Sequence, residues 1–178
     1  MSTMVLGIGN VLLTDEGVGV HALNELEKRY TFSDDVELLD GGTSGIELLR
    51  HIEEHDNLII IDCMTHDQPP GTVYRVENDD VPSVFRTRIS PHQLGLSDLL
   101  AAAMLTSGLP EILVLFGVEP ETVDVGLELT ETVENSLDKL ITAVVEELRK
   151  IGCSVEPHNS TFTDKACFWE GSKESLNT

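Results

Sequence analysis

The segment at residues 58–62 constrains the fold most strongly, because it reads Leu-Ile-Ile-Ile before it ends in Asp62. A strand that is apolar at every position must be covered on both faces of its sheet, which is typical of parallel sheets flanked by helices. Strand-like and helix-like segments also alternate along most of the chain. The pattern therefore predicts an α/β fold, a three-layer α/β/α sandwich with a mostly parallel sheet.

Five strands and four helices are predicted from the hydrophobic pattern and the helix-end signals. The strands are residues 4–9, 36–40, 58–62, 71–77 and 111–118. The helices are residues 15–30, 43–54, 90 to the Gly-Leu-Pro break at 108–110, and 130–150, the last closed by Gly152. Residues 71–77 alternate polar and apolar side chains, so this segment is predicted to be a half-exposed edge strand.

The length and composition are those of a single soluble domain. The chain has 178 residues, of which 40% are hydrophobic and 24% charged, enough for one full core. We predict one domain at residues 1–156 and a polar, disordered tail at residues 157–178. The sequence has no apolar run of ~20 residues and no basic signal segment at its start.

Charge and cysteine content narrow the location and the partners. The sequence has 32 Asp and Glu against 11 Lys and Arg, a net charge of −21. Nucleic acids and anionic membranes bind proteins through Lys and Arg, so neither is expected as a partner. Three cysteines without a C-x-x-C pair favour a reducing environment over a disulfide framework. We predict a cytoplasmic monomer whose surface attracts cations or a basic partner.

Ligands of open α/β sheets bind beyond the carboxyl ends of the strands. Gly9, Asp15 and Glu16 follow the first predicted strand, and Asp62 ends the third. The glycines at 7 and 9 suggest a dinucleotide-binding loop, but Leu12 stands where the third glycine is needed. The two acids also occupy a helix start where a pyrophosphate needs bare N–H groups. No nucleotide cofactor is therefore predicted, and Asp15 is interpreted as a helix cap.

Glu16 and Asp62 are candidate functional residues, because they should lie side by side across the first and third strands. Two such carboxylates repel, which raises one pKa unless a cation or a shared proton compensates. The pair is a candidate metal site or a general acid–base pair. His92 is the third candidate, since Ser90 and Pro91 place it in the first turn of a helix, where the dipole favours the neutral, metal-binding ring. Spacing alone does not decide whether His92 reaches the pair.

Other candidates are weaker. His51 and His55 match the zinc-peptidase signature H-x-x-E-H. That motif closes the second predicted helix, so it should lie at the amino-terminal edge of the sheet, away from the crevice. Cys63 is predicted to point into the core, because adjacent strand residues face opposite sides. His66 follows in a loop and is a minor ligand candidate.

Several segments together resemble the nickel–iron hydrogenase maturation endopeptidases. They read Val-Leu-Gly-Ile-Gly-Asn at 5–10, Asp-Glu-Gly-Val-Gly at 15–19, Leu-Asp-Gly-Gly-Thr at 39–43, Ile-Ile-Ile-Asp at 59–62, Ile-Ser-Pro-His-Gln-Leu-Gly-Leu at 89–96 and Leu-Phe-Gly-Val-Glu-Pro at 115–120. These segments occur in the family's order and cover the chain from about Met4 to Glu156. The resemblance implies a five-stranded mixed sheet of order 2-1-3-5-4 with strand four antiparallel.

The resemblance also implies an activity. The family's enzymes cleave a C-terminal extension from the precursor of the hydrogenase large subunit after nickel has been inserted. The family's metal-binding residues map onto Glu16, Asp62 and His92, which would contact nickel supplied by the precursor. This makes the chain an expected aspartyl or metal-dependent endopeptidase.

The segment at 40–43 is predicted to contact the substrate. It follows the second strand on the same side of the sheet, and Gly41, Gly42 and Thr43 would let a substrate backbone approach closely. Asp40 is the candidate carboxylate for activating water, beside catalytic contributions from Glu16 and Asp62.

Two other classes of function are compatible with the pattern. One is a non-catalytic escort that senses nickel in the precursor without changing its mass. The other is a nucleotide- or purine-binding enzyme on the same scaffold, against which the acidic first loop argues. A relative of the spore proteases is a third alternative.

Overall fold

The computed structural model describes residues 1–86 and 91–158, apart from the side chains of Arg86 and of residues 91–94. The strands are β1 (Thr3–Ile8), β2 (Tyr30–Phe32), β3 (Val36–Gly42), β4 (Asn57–Cys63), β5 (Val73–Glu77), β6 (Ile112–Val118) and β7 (Val155–Pro157). The helices are α1 (Val18–Arg29), α2 (Leu49–Glu53), α3 (Asp80–Arg86), α4 (Pro91–Thr106), α5 (Glu131–Glu134) and α6 (Leu137–Ile151). Short 3₁₀ turns at Thr14–Gly17 and Ile46–Leu48 precede α1 and α2.

The main sheet has five strands in the order β3-β1-β4-β6-β5. β1 pairs in parallel with β3 and β4, and β4 pairs in parallel with β6. β5 is antiparallel to β6 and lies at the edge. In the numbering of the predicted strands this order is 2-1-3-5-4 with strand four antiparallel, so the predicted fold is confirmed.

Each face of the sheet carries its own hydrophobic core. On one face, α1 and α6 pack over side chains such as Val5, Ile59 and Phe116. On the other face, α2, α3 and α4 pack over side chains such as Leu6 and Ile60. The fully apolar segment of β4 is thus covered on both sides, as the sequence predicts, since its residues alternate between the two cores.

Several helix predictions differ from the structure. The predicted helix at 130–150 is two helices, because Ser136 turns its hydroxyl back onto the carbonyl of Val133 at 2.7 Å and the chain bends between α5 and α6. Gly152 does close α6, with a left-handed φ of 103°. The predicted helix at 43–54 begins only with the turn at Ile46–Leu48. The predicted start of α4 at Ser90 lies outside the described residues.

A second, small sheet and α3 have no counterpart in the sequence-based prediction. β2 pairs antiparallel with β7, so that Tyr30 lies opposite Pro157. The backbone N–H of His158 then donates to the carbonyl of Arg29 at 2.8 Å. The predicted domain boundary after Glu156 therefore falls inside a paired strand. Of the predicted tail at 157–178, residues 159–178 lie outside the described residues.

The longest helix among the described residues, α4, has 16 residues. In the described part of the chain, no helix is both long and apolar enough to cross a bilayer.

A partly buried ion pair links the edge strand β5 to α6. Arg75 contacts both carboxylate oxygens of Glu147, through Nε at 2.9 Å and Nη2 at 3.0 Å. Burial opposes ionisation of Glu147, but its hydrogen bonds to Arg75 and the charges of Arg75 and Lys150 bring its pKa below the ordinary value. A bidentate pair of this kind is stronger than an exposed one.

Replacing Glu147 with Gln is expected to lower the free energy of unfolding by about 1–3 kcal/mol at neutral pH. Because the folded-state pKa is lowered, this contribution is fully present above the ordinary glutamate value of 4.5 and is lost as pH falls through the folded-state value. Urea unfolding at neutral and at acidic pH measures it, with the exposed neighbour Glu146→Gln as the control. A wild-type advantage that stays constant down to about pH 3 would contradict the assignment.

Candidate functional site

Two buried carboxylates lie at the carboxyl edge of the sheet. Asp62 is the penultimate residue of β4, opposite Gly117 of β6, and is fully buried. Glu16 lies in the 3₁₀ turn that leads into α1 and is also buried. A methyl group at Gly9 would overlap the Glu16 carbonyl oxygen, and one at Gly19 would overlap those of the paired strand ends. Glycines at these positions therefore let the turn with Glu16 lie directly on the ends of β1 and β4.

The pKa of the Cys63 thiol shows that several carboxylates lie near the end of β4. Its pKa lies far above the ordinary value, first because the thiol is buried and then because of the charges of four carboxylates. Those carboxylates belong to Asp62, Glu16, Asp15 and Glu119. Cys63 itself points into the core beneath α1 and α6, as predicted. A thiol with a raised pKa is a poor thiolate donor, so the carboxylates, and not Cys63, are the candidate metal-binding or proton-transferring groups at this edge.

Asp15 holds a distant loop in place. Its Oδ2 accepts hydrogen bonds from the backbone N–H groups of Glu121 and Thr122, at 2.8 and 3.1 Å. Its Oδ1 accepts from the backbone N–H of Thr130 at 2.8 Å, and the Thr130 hydroxyl adds a further contact. The residue that caps α1 is Gly17, without a side-chain hydrogen bond. The interpretation of Asp15 as a helix cap is therefore wrong, and its role is to anchor residues 119–130, the β6–α5 loop.

Glu119 is a residue that sequence reasoning missed. It follows β6 directly, is buried, and its Oε2 accepts from the backbone N–H of His66 at 2.6 Å. Its own backbone N–H donates to Thr72 at 2.9 Å. Glu119 thus orders the loop after β4, which carries His66 on the protein surface. The sequence contains a signal that could have identified Glu119, because this acid comes at the end of an apolar strand, as Asp62 does.

The start of α4 lies at the same edge. Gly95 in its first turns approaches the loop after β3 so closely that a Cβ on Gly95 would lie 3.3 Å from the Cα of Gly45. The side chain of His92, the third predicted metal ligand, lies outside the described residues. Among the side chains that are described, no three His, Cys, Asp or Glu residues form a metal-binding group. A metal site formed by Glu16, Asp62 and His92 thus stays a prediction. The two carboxylates and the start of α4, which carries His92, lie at the carboxyl edge of the sheet.

The segment at 40–43 also ends at this edge. Asp40 is exposed, and its Oδ1 accepts from the backbone N–H of Gly42 at 2.9 Å. The register with β1 shifts here, so that Gly7 pairs with Asp40 and Ile8 with Gly42. A Cβ at Gly41 would meet the side chains of Leu6 and Leu48. Internal packing therefore accounts for the glycine at 41. Gly42 is partly exposed and has a left-handed φ of 47°, and Thr43 is exposed.

The H-x-x-E-H motif lies where it was predicted, away from this edge. His55 Nε2 lies 3.1 Å from Glu37 of β3, and His51 Nδ1 lies 3.7 Å from the same carboxylate. Glu54, the motif's acid, pairs with Arg50 at 2.7 Å. The motif is thus a surface charge cluster at the end of α2 and does not adopt the arrangement of a zinc site.

Comparison with known proteins places the chain in a family. Residues 20–147 match the family HycI, described as hydrogenase maturation protease. The chain is 43% identical over 161 residues to the hydrogenase 2 maturation protease of Escherichia coli, covering 90% of this chain and 98% of the relative. It is 41% identical to the hydrogenase expression/formation protein HoxM of Azotobacter vinelandii, covering 84% of this chain and 73% of that protein.

Solved structures of hydrogenase maturation proteases have the same fold as this chain. The hydrogenase maturating endopeptidase HybD of Escherichia coli superimposes with a TM-score of 0.86 at 43% identity, covering 89% of this chain and 98% of the other. The hydrogenase maturation protease HybD of Thermococcus kodakarensis superimposes with a TM-score of 0.69 at 26% identity, covering 83% and 99%. The chain is a member of the hydrogenase maturation protease family.

Proposed function

We propose that this protease removes the C-terminal extension from a nickel-loaded large-subunit precursor of a nickel–iron hydrogenase, in the cytoplasm. The observation that carries the proposal is the placement of two buried carboxylates, Glu16 and Asp62, at the carboxyl edge of the sheet, the edge at which α4 begins. The charge of a buried carboxylate is costly unless hydrogen bonds, a cation or a shared proton compensate it. A positively charged metal in the substrate would add such compensation during binding.

The donor types suit nickel that the precursor already holds. Two carboxylate oxygens and one imidazole bind divalent transition ions less tightly than thiolates do. Glu16, Asp62 and His92 would therefore contact the ion without removing it from a precursor that holds it more tightly. The protease would recognise a finished metal site, because only a precursor with bound nickel offers the cation. Docking by this contact would position the scissile peptide in the crevice.

Asp40 is the proposed general base. Its carboxylate would take a proton from water as the water oxygen attacks the scissile carbonyl carbon, and would return that proton to the departing amine nitrogen. The residue is exposed at the same edge, and Gly42 fixes one of its oxygens. Beside it, Gly42 and Thr43 would contact the substrate backbone.

An Asp40→Asn protein is expected to process the precursor about 100-fold more slowly, since general bases contribute about 10²–10⁴-fold. Its affinity for the nickel-loaded precursor should remain that of the wild type. Single-turnover cleavage and a pull-down of the precursor measure the two quantities. A cleavage rate equal to that of the wild type would show that Asp40 is not the general base and that another group has this role.

Intact-mass analysis of a cognate large-subunit precursor tests the proposed function. Incubation with the protein should release one C-terminal peptide and leave the remaining chain intact. A His92→Ala protein should release none, since it lacks the imidazole of the trio. Stable binding of a nickel-loaded precursor by the wild-type protein without any loss of mass would contradict the proposal and indicate an escort.

A further inference from the structure

Exposed apolar side chains are concentrated in two loops that meet at the carboxyl edge. Nine large apolar side chains are exposed in the described part of the chain, and five of them lie in these loops. We call the five the apolar patch; they are Val11, Leu12, Val123, Val125 and Leu127, with exposures from 38% to 90%. An apolar cluster of this kind on a soluble protein marks a contact surface.

Backbone hydrogen bonds hold the two loops of the patch together. Gly126 donates to the carbonyl of Leu12 and accepts from the N–H of Thr14, each at 2.9 Å. The carbonyl of Thr122 accepts from the Thr14 hydroxyl at 2.8 Å. Asp15 fixes the β6–α5 loop from beneath through the contacts described above. The patch is therefore a preformed surface, which lowers the entropy lost on binding.

The patch and the candidate site occupy the same two connections of the chain. Leu12 and Glu16 belong to the same short connection between β1 and α1, and Glu119 and Val123 both lie in the β6–α5 loop. A polypeptide that enters the crevice at Glu16 therefore lies beside the patch. Three exposed acids border it, namely Glu121, Asp124 and Glu128.

We propose that the apolar patch is the docking surface for the substrate precursor, whose matching surface presents apolar side chains flanked by Lys or Arg. This inference rests on the proposed function. Nickel offers the same chemistry in every hydrogenase precursor, so the metal contact alone cannot distinguish one precursor from another. An apolar, acid-bordered surface next to the crevice supplies the polypeptide contact that discrimination requires.

The net charge of the chain argues against a second copy of this protein or an anionic membrane as the partner that binds the apolar patch. A second copy of this chain would bring together two molecules that each carry a net charge of −21. An anionic membrane would be repelled for the same reason. A partner with basic residues around an apolar centre is attracted by the acidic border, which also speeds its association.

The test compares two double variants by steady-state cleavage of a precursor that the wild-type protein processes. Val125→Ser with Leu127→Ser removes two patch side chains and is expected to raise KM about tenfold with kcat within about twofold, because ground-state binding is lost. Met104→Ser with Leu105→Ser is the matched control. Those side chains are 52% and 89% exposed near the far end of α4, and KM should not change.

The outcomes separate the inference from the proposed function. If the wild-type protein cleaves no precursor, the proposed function fails before the patch is tested. If it cleaves and the patch variant keeps the wild-type KM, the docking surface is refuted. Sedimentation velocity and flotation with anionic vesicles complete the test. A dimer, or vesicle binding, that the patch variant abolishes would assign the patch to that occupant instead.

Discussion

Replacing Asp62 with Asn, or Glu16 with Gln, is expected to lower the rate of precursor processing by roughly 1,000-fold or more. Positioning alone can contribute about 10⁵-fold or more to a reaction, and each variant removes a charge that would hold the nickel-bearing substrate in place. Loss of a residue behind a metal ligand already costs about 10–100-fold, so loss of a ligand should cost more. Both substitutions keep the shape of the side chain, so the fold should be retained.

Two controls separate this effect from unfolding. The melting temperature of each variant should stay within about 4 °C of the wild type, a change of roughly 1–2 kcal/mol in a chain of this size. Asp98→Asn removes an exposed carboxylate from α4 and should leave processing unchanged. Normal processing by either site variant, in a protein shown to be folded, would remove Glu16 or Asp62 from the mechanism.

Replacing Asp15 with Ala is expected to lower the free energy of unfolding by about 2–4 kcal/mol. The substitution leaves the partly buried backbone N–H groups of Glu121, Thr122 and Thr130 without their acceptor. A fully buried donor without an acceptor costs about 1–3 kcal/mol, and a partly buried one costs less. Water that hydrates the loosened loop offsets part of this loss of stability. The melting temperature should fall by about 5–15 °C, which thermal denaturation followed by circular dichroism measures.

Asp138→Ala is the matched control for this prediction. Asp138 is exposed and pairs with Arg29 at 2.6 Å, so its loss should cost less than about 1 kcal/mol. Processing should also fall in Asp15→Ala, because the β6–α5 loop lies beside Glu16. Equal melting temperatures for Asp15→Ala and the wild type would contradict the anchoring role.

Sequence reasoning found the sheet because its information is local. Three signals predict structure from only a few neighbouring residues. They are the apolar segment of β4, the alternation of polar and apolar residues in β5, and the glycine after α6. The strand order was implied by the family resemblance alone, whereas the position of Asp62 at the end of an apolar strand placed it at the carboxyl edge. Local patterns also placed Cys63 in the core and the H-x-x-E-H motif away from the site.

The features that sequence reasoning missed depend on partners distant in the chain. β2 has three residues and is a strand only because it pairs with Val155–Pro157. Asp15 resembles a cap locally, yet its hydrogen-bond donors lie more than a hundred residues further along the chain. Glu119 differs, because the rule that selected Asp62 also applies to it. The apolar patch arises from two loops that meet only in the folded protein.

The most direct test of the account compares nickel-loaded and nickel-free samples of one cognate precursor by intact-mass analysis over time. We expect release of the C-terminal peptide from the nickel-loaded sample only, because Glu16, Asp62 and His92 would contact the ion that the precursor carries. Adding nickel to the protease alone should not replace loading of the precursor. Equal cleavage of both samples would keep the protease and contradict recognition of the metal.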